Sequence, residues 1–144
     1  MSEMSYIVMR KKIKPYNKKI IMEGDKSLSI RWALISSQSF RKCRSSNLLL
    51  SEDVINTLNC LKKLGVKIRL TKSFCEIVGV GLNGFKYKKS LLLNAGNSGT
   101  LSRLMMGLLV HAKNNIKLTG DKSLSKRDFF RVSEPLEEFG ARYF

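Results

Sequence analysis

A glycine-opened turn, Gly24-Asp25-Lys26-Ser27-Leu28-Ser29-Ile30-Arg31, runs directly into the amphipathic stretch 27–39 and constrains this chain more than any other feature. A helix that starts on such a turn leaves its first backbone N–H groups without intrahelical acceptors, aimed outward with the positive end of the helix dipole behind them. Lys26, Ser27 and Arg31 stand beside those groups, which outlines an anion pocket. Nearly the same octet returns as Gly120-Asp121-Lys122-Ser123-Leu124-Ser125-Lys126-Arg127, so the chain presents this chemistry twice. Alone, the string Gly-Asp-Lys-Ser is weak, because similar strings occur in solvated turns and the full P-loop spacing is absent.

The segments between the two octets alternate strand and helix signals. A first strand is predicted over 6–13, broken by Pro15-Tyr16-Asn17 before a short second one at 20–22. Leu28, Trp32, Leu34 and Ile35 recur at helical spacing over 27–39, and 45–50 reads as a short strand. Ser51 suits the N-cap of a helix over 52–64, with Glu52 and Asp53 in its first turn, Lys62 and Lys63 in its last, and Gly65 closing it. The runs 66–70 and 74–80 read as a hairpin across Thr71-Lys72-Ser73, followed by a loop over 79–84 and a buried strand at 91–93. A second glycine-rich loop over 94–99 feeds an apolar helix from Thr100 to about Ala112, whose Leu101, Leu104, Met105, Leu108 and Leu109 form a core stripe. Strand 115–118, the second octet as a loop, and helix 132–139 stopped by Gly140 complete the series, and the last four residues read as the start of a strand. The fold class is therefore α/β (α+β), built from two related βαβ-type units of unequal length.

Several short motifs stand in a fixed order along this frame: Ser51-Glu52-Asp53-Val54, Leu64-Gly65-Val66, Asn94-Ala95-Gly96-Asn97-Ser98-Gly99-Thr100 with Arg103, and Leu118-Thr119-Gly120-Asp121 leading to Lys126-Arg127. In that order and spacing they resemble the N-terminal part of the EPSP synthase family (3-phosphoshikimate 1-carboxyvinyltransferases). The resemblance implies an enolpyruvyl-transferase-like domain. Residues 1–14 would be a first strand belonging to the opposite domain. Residues 15–144 would be two of the three repeat units of the N-terminal-half domain, incomplete at the C-terminus. At 144 residues the chain is about a third of the family's usual length, which reads as a truncated enzyme needing a missing C-terminal domain to close its site.

The activity so implied joins 3-phosphoshikimate and phosphoenolpyruvate through the 5-hydroxyl of the former, with release of phosphate, in the shikimate pathway of aromatic amino acid biosynthesis. No cofactor and no metal are called for. Position by position, the resemblance makes Lys26 the catalytic lysine lying between both substrates. Ser27 and Arg31 would contact 3-phosphoshikimate, and Asn97, Gly99 and Arg127 would contact phosphoenolpyruvate, with Thr100 beside them. Gly99 also matches the position where the anionic inhibitor glyphosate packs, which predicts that an intact enzyme of this sequence is glyphosate-sensitive. Asp53 and Arg103 read as loop-orienting residues without ligand contact, Lys122 and Ser123 as loop residues, and His111 as a surface or helix-capping residue. Two departures stand out: Glu23 and Asp128 occupy positions where the family usually has proline, and an acid beside Arg127 is placed to pair with it.

Charge and cysteines set further bounds. Twenty-seven lysines and arginines against eleven acids give a net charge of +16, which draws anions generally. A basic nucleic-acid-binding module is the alternative from another class, and a non-catalytic truncated remnant is a third reading. The cations are scattered and no aromatic-interleaved RNA-binding pattern accompanies them, which disfavours nucleic acid as a partner. The sister UDP-N-acetylglucosamine enolpyruvyl transferases carry lysine-asparagine where this chain has Lys26-Ser27, so they fit less well. Cys43, Cys60 and Cys75 are odd in number and lack metal-ligand spacing, and no run reaches the length of a membrane span. The expectation is a cytoplasmic protein with reduced thiols, monomeric when full length.

Overall fold

The structure, a computed structural model, describes residues 8, 12, 14, 15, 17–20 and 22–143. Helix α1 (Lys26–Ser37) leads into strand β1 (Lys42–Ser45), helix α2 (Glu52–Lys63) and the strands β2 (Lys67–Leu70) and β3 (Cys75–Val78). Strand β4 (Leu91–Asn94), helix α3 (Gly99–Leu108), strand β5 (Ile116–Thr119), a 3-10 turn at Leu124–Lys126 and helix α4 (Phe130–Glu137) complete the order.

The strands form two sheets. In the first the order is β1-β3-β2, and both outer strands run antiparallel to β3, with Cys43 and Ile68 each opposite Ile77. Strands β1 and β2 therefore point the same way, and with α2 between them they form a βαβ unit split by β3. In the second sheet β4 and β5 pair in parallel, Leu93 opposite Leu118, with α3 as the crossover helix. Both units are of the βαβ type, and only the second keeps its two strands adjacent.

One core joins them. Ile30, Ala33 and Leu34 of α1, Val54, Leu58 and Leu61 of α2, Ile77, Leu93, and Leu101 and Met105 of α3 are buried together. The positions anticipated as the stripe of α3 supply its share of this core, which is what a 3.6-residue period requires. Glycine sits where the backbone turns left-handed after α2 and α4: φ is +88° at Gly65 and +86° at Gly140.

Four expectations change. The strand of the 45–50 region forms earlier, at Lys42–Ser45, because the chain leaving α1 is tied at once to β3: Val80 N–H donates to Ser37 O at 2.9 Å and Gly79 N–H to Arg41 O at 3.2 Å. The apolar Leu48-Leu49-Leu50 instead forms a connection, in which Leu49 N–H bonds Ser29 Oγ at 3.0 Å. Ser51 precedes α2 with extended backbone, but its buried hydroxyl makes no cap bond. Ile20 and Met22 are not in a strand, and neither are residues 141–143, because none of them has a ladder partner among the described residues. The strand over 6–13, Val8 and Lys12 apart, and residues 21 and 144 lie outside the described residues. Among those described, no helix is long and apolar enough to cross a membrane and no cluster of His, Cys, Asp and Glu could hold a metal ion.

Candidate anion site at three helix N-termini

Each octet begins with the same device. Asp25 caps α1, its Oδ1 accepting from Leu28 N–H at 2.7 Å. Asp121 does the same for the second octet, accepting from Leu124 N–H at 2.7 Å. Identical letters thus give identical capping, since a carboxylate three residues ahead of a free N–H satisfies one orphan donor in either context. Beyond the cap the two octets diverge. The first opens a helix of 12 residues and the second only a 3-10 turn, so Lys122 and Ser123 are exposed in a turn.

The loop 94–99 is held from both sides. Asn94 Oδ1 accepts from Gly96 N–H at 2.9 Å, and Ala95 N–H extends the parallel ladder to Thr119 O at 2.8 Å. Gly96 O accepts from Asp121 N–H at 2.9 Å, and Gly120 lies so close that a Cβ there would stand 2.5 Å from that same oxygen. Ser98 caps α3, its Oγ accepting from Leu101 N–H at 3.3 Å, which leaves the amides of Gly99 and Thr100 with no acceptor inside the helix. The two loops therefore sit locked together beyond the carboxyl ends of β4 and β5, the place where open α/β sheets bind ligands.

A cavity of about 360 Å³ opens there, lined by Lys26, Asp53, Asn97, Gly99, Thr100, Arg103 and Arg127. The first turns of α1, α2 and α3 all reach it. Lys26 Nζ lies 3.1 Å from Asp53 Oδ2; the carboxylate is largely buried while the lysine side chain is half exposed, within reach of a ligand in the cavity. Arg127 donates from Nη2 to Asn97 Oδ1. Arg103 donates from Nη2 to Asp128 O at 3.1 Å and stacks 5.3 Å from the centroid of Phe129, while its buried Nε has no partner among the described residues.

Both guanidinium groups approach Gly99: a Cβ there would stand 2.8 Å from Arg127 Nη1 and 3.0 Å from Arg103 Nη1. Two cations gathered over one point, with Lys26 nearby and the N-terminus of α3 beneath, repel one another unless an anion sits among them. Three cations and one carboxylate give this cavity a lining chemically suited to a small polyanion carrying phosphate or carboxylate, groups that guanidinium forks bind in bidentate fashion.

Of the residues singled out in the sequence, Lys26, Asn97, Gly99, Thr100 and Arg127 meet in the cavity, and Ser27 and Arg31 do not line it. Those two lie four residues apart on α1, so they share one stripe of the helix beside the cavity rather than its wall. Asp53 and Arg103, read from the sequence as orienting residues without ligand contact, stand in the wall itself. Their signal was present: Asp53 is a first-turn acid of α2, and Arg103 lies one helical turn beyond Gly99. The acid beside Arg127 is engaged elsewhere, because Asp128 Oδ1 accepts from Phe130 N–H at 2.7 Å at the start of α4.

The sequence model of the family described as EPSP synthase (3-phosphoshikimate 1-carboxyvinyltransferase) matches residues 10–144. The 3-phosphoshikimate 1-carboxyvinyltransferase of Bacillus cytotoxicus is 40% identical over 129 residues, which cover 90% of this chain and 30% of that protein. That of Thermoanaerobacter sp. is 42% identical over 123 residues, or 85% of this chain and 29% of the relative. Among solved structures, EPSP synthase from Acinetobacter baumannii matches with a TM-score of 0.80 at 37% identity, over 87% of this chain and 28% of that one. The chain thus spans about 30% of the length of the curated relatives it matches.

Proposed function

This chain belongs to the EPSP synthase family, and on that footing we propose that it supplies one wall of a site for enolpyruvyl transfer from phosphoenolpyruvate to 3-phosphoshikimate. The 5-hydroxyl oxygen bonds to the enol carbon, its proton leaves and the methylene carbon gains one, giving a tetrahedral intermediate. The carbon–oxygen bond to phosphate then breaks, phosphate departs, and loss of a methyl proton restores the double bond. Both substrates are small polyanions, so fixed cations and helix N-termini do most of what this wall contributes, by positioning and by electrostatic preorganisation.

In this reading Lys26 lies between the two substrates. Asn97, Gly99 and Arg127 hold phosphoenolpyruvate, and Ser27 and Arg31, one stripe away on α1, hold 3-phosphoshikimate. Residues 15–144 correspond to two of three repeat units of one domain, residues 1–14 belong to the opposite domain, and a further domain closes the site, in a cytoplasmic enzyme that is monomeric at full length. No cofactor is needed. The observation that carries the reading is the meeting of Lys26, Asn97, Gly99 and Arg127, drawn from three separate stretches of sequence, around one polar cavity.

The test is a chimera in which this chain replaces the matching segment of the Bacillus cytotoxicus relative. Phosphate release from the two substrates is expected from the chimera and not from this chain alone. Lys26→Met in the chimera should cost on the order of 100-fold in turnover, the scale of one lost electrostatic contact to a reacting group. Full turnover by that variant would overturn the assignment.

A further inference from the structure

A second cavity, of about 330 Å³, opens at the other end of α3. Leu108 and Leu109 line it and Gly99 lines the first, so the two lie about 14 Å apart along the helix axis at its ordinary rise. The reaction proposed above does not use it.

Its chemistry is different from that of the first cavity. Phe85, Tyr87, Leu108 and Leu109 all line it, and all four pack against the central core, which holds these walls in place. The segment carrying the aromatics is pinned by Lys86 N–H donating to Leu64 O at 2.9 Å, and Gly65 allows that approach: a Cβ there would stand 2.7 Å from Lys86 O. Around the mouth stand Lys86, His111 and Lys113, all exposed, and no lining residue is acidic. The hydroxyl of Tyr87 is buried and has no hydrogen-bond partner among the described residues.

Two aromatic rings and two leucines line a site suited to a flat apolar body, and ring pairs in offset or edge-to-face contact gain stability beyond the area they bury. Two ammonium groups and an imidazole at the mouth, unopposed by acids, favour one anionic group on that body. A buried phenol without a partner is a donor awaiting an acceptor. We infer that this cavity is a second ligand site, separate from the polyanion site, and that it takes a small aromatic carboxylate with its ring between Phe85, Tyr87 and the leucines and its carboxylate at Lys86 and Lys113. The size is appropriate, since cavities of a few hundred Å³ suit ligands of one ring.

The probe is 4-hydroxybenzoate, with the uncharged 4-hydroxybenzamide as its control, titrated into the chain while NMR follows the leucine methyl and aromatic ring signals. Saturable shifts at Leu108, Leu109 and Phe85 are expected at probe concentrations up to about 10 mM, well above the millimolar affinity typical of so small a ligand. The amide should bind about tenfold more weakly, the scale of one charge-assisted contact. A Lys86→Met, Lys113→Met variant changes only exposed side chains, should keep its melting temperature, and should lose about tenfold in affinity for the acid alone. Equal binding of acid and amide, an unaffected lysine variant, shifts confined to the Lys26, Arg103 and Arg127 cavity, or no shifts at all would each overturn the inference.

Discussion

The smallest residue in the candidate site sets its geometry. Gly99 has an ordinary negative φ, so any side chain is allowed by its backbone; what glycine provides is room for two guanidinium groups above the first turn of α3. A methyl group at that point would meet Arg127 Nη1 and Arg103 Nη1, the far ends of two flexible side chains, and both can swing aside at little cost to folding. Gly99→Ala should therefore leave the melting temperature within about 2 °C, as for changes that touch no core contact. On the function proposed above, the same variant should weaken binding of phosphoenolpyruvate about tenfold, because the displaced Arg127 loses its register with Asn97. Calorimetric titration of chain and variant checks both halves, and a large loss of stability with unchanged affinity would assign Gly99 to packing instead. Asp128 shows how far local chemistry can be read from letters alone. The sequence placed an acid beside Arg127, but it could not show that the Phe130 N–H at the start of α4 would claim that carboxylate at 2.7 Å.

Between elements, one of the ties beneath the site is a thiol. Cys60 of α2 donates from Sγ to Asn94 O, at the end of β4, at 3.4 Å, joining that helix to the strand whose loop carries Asn97 and Gly99. Burial pushes the Cys60 thiol up from 9.0 to about 11, against the smaller opposing pull of the nearby Lys63 ammonium. The folded state thus holds the proton that the unfolded chain releases first. This contribution to stability is complete below pH 9.0 and is lost as pH rises from there towards 11. Urea unfolding across that window should show a downward slope that is shallower in Cys60→Ala; parallel slopes would mean that other groups carry it. The helices themselves were legible, since α1 and α3 carry apolar residues at helical spacing and α2 follows Ser51 with acids in its first turn and lysines in its last, although the Ser51 hydroxyl makes no cap bond. Strand pairing was less so. Leu48-Leu49-Leu50 carries the apolar signal, yet Lys42–Ser45 forms the strand, because β3 is bordered by that segment and nothing in a short run of letters specifies a partner about 30 residues away. For the same reason the site's loops could be read only as candidate anion-binding turns, while the convergence of Asp53 and Arg103 on them depends on packing that is non-local in sequence.

At the scale of the whole molecule two forces oppose each other on α1. One face of the helix buries Ile30, Ala33 and Leu34, and the other presents Leu28 and Ile35, 67% and 72% exposed, with half-buried Trp32 between them at helical spacing. A helix that is apolar on both faces is built to be covered twice. Burying such side chains against a second copy would contribute about 1.5–3 kcal/mol each, which barely meets the 4–15 kcal/mol or so that association costs in lost freedom. The balance then falls to charge. Each molecule carries +16, and two such molecules repel over a screening distance of about 10 Å in 0.1 M salt but only about 3 Å in 1 M. Sedimentation should therefore find a monomer at low salt and reversible association as sodium chloride approaches about 1 M. A Leu28→Gln, Ile35→Gln variant should stay monomeric throughout, since it keeps the charge and removes the apolar stripe. Association of that variant to the same extent would move the contact off α1, and association that weakens as salt is added would mean that charge pairing, not apolar burial, holds the copies together.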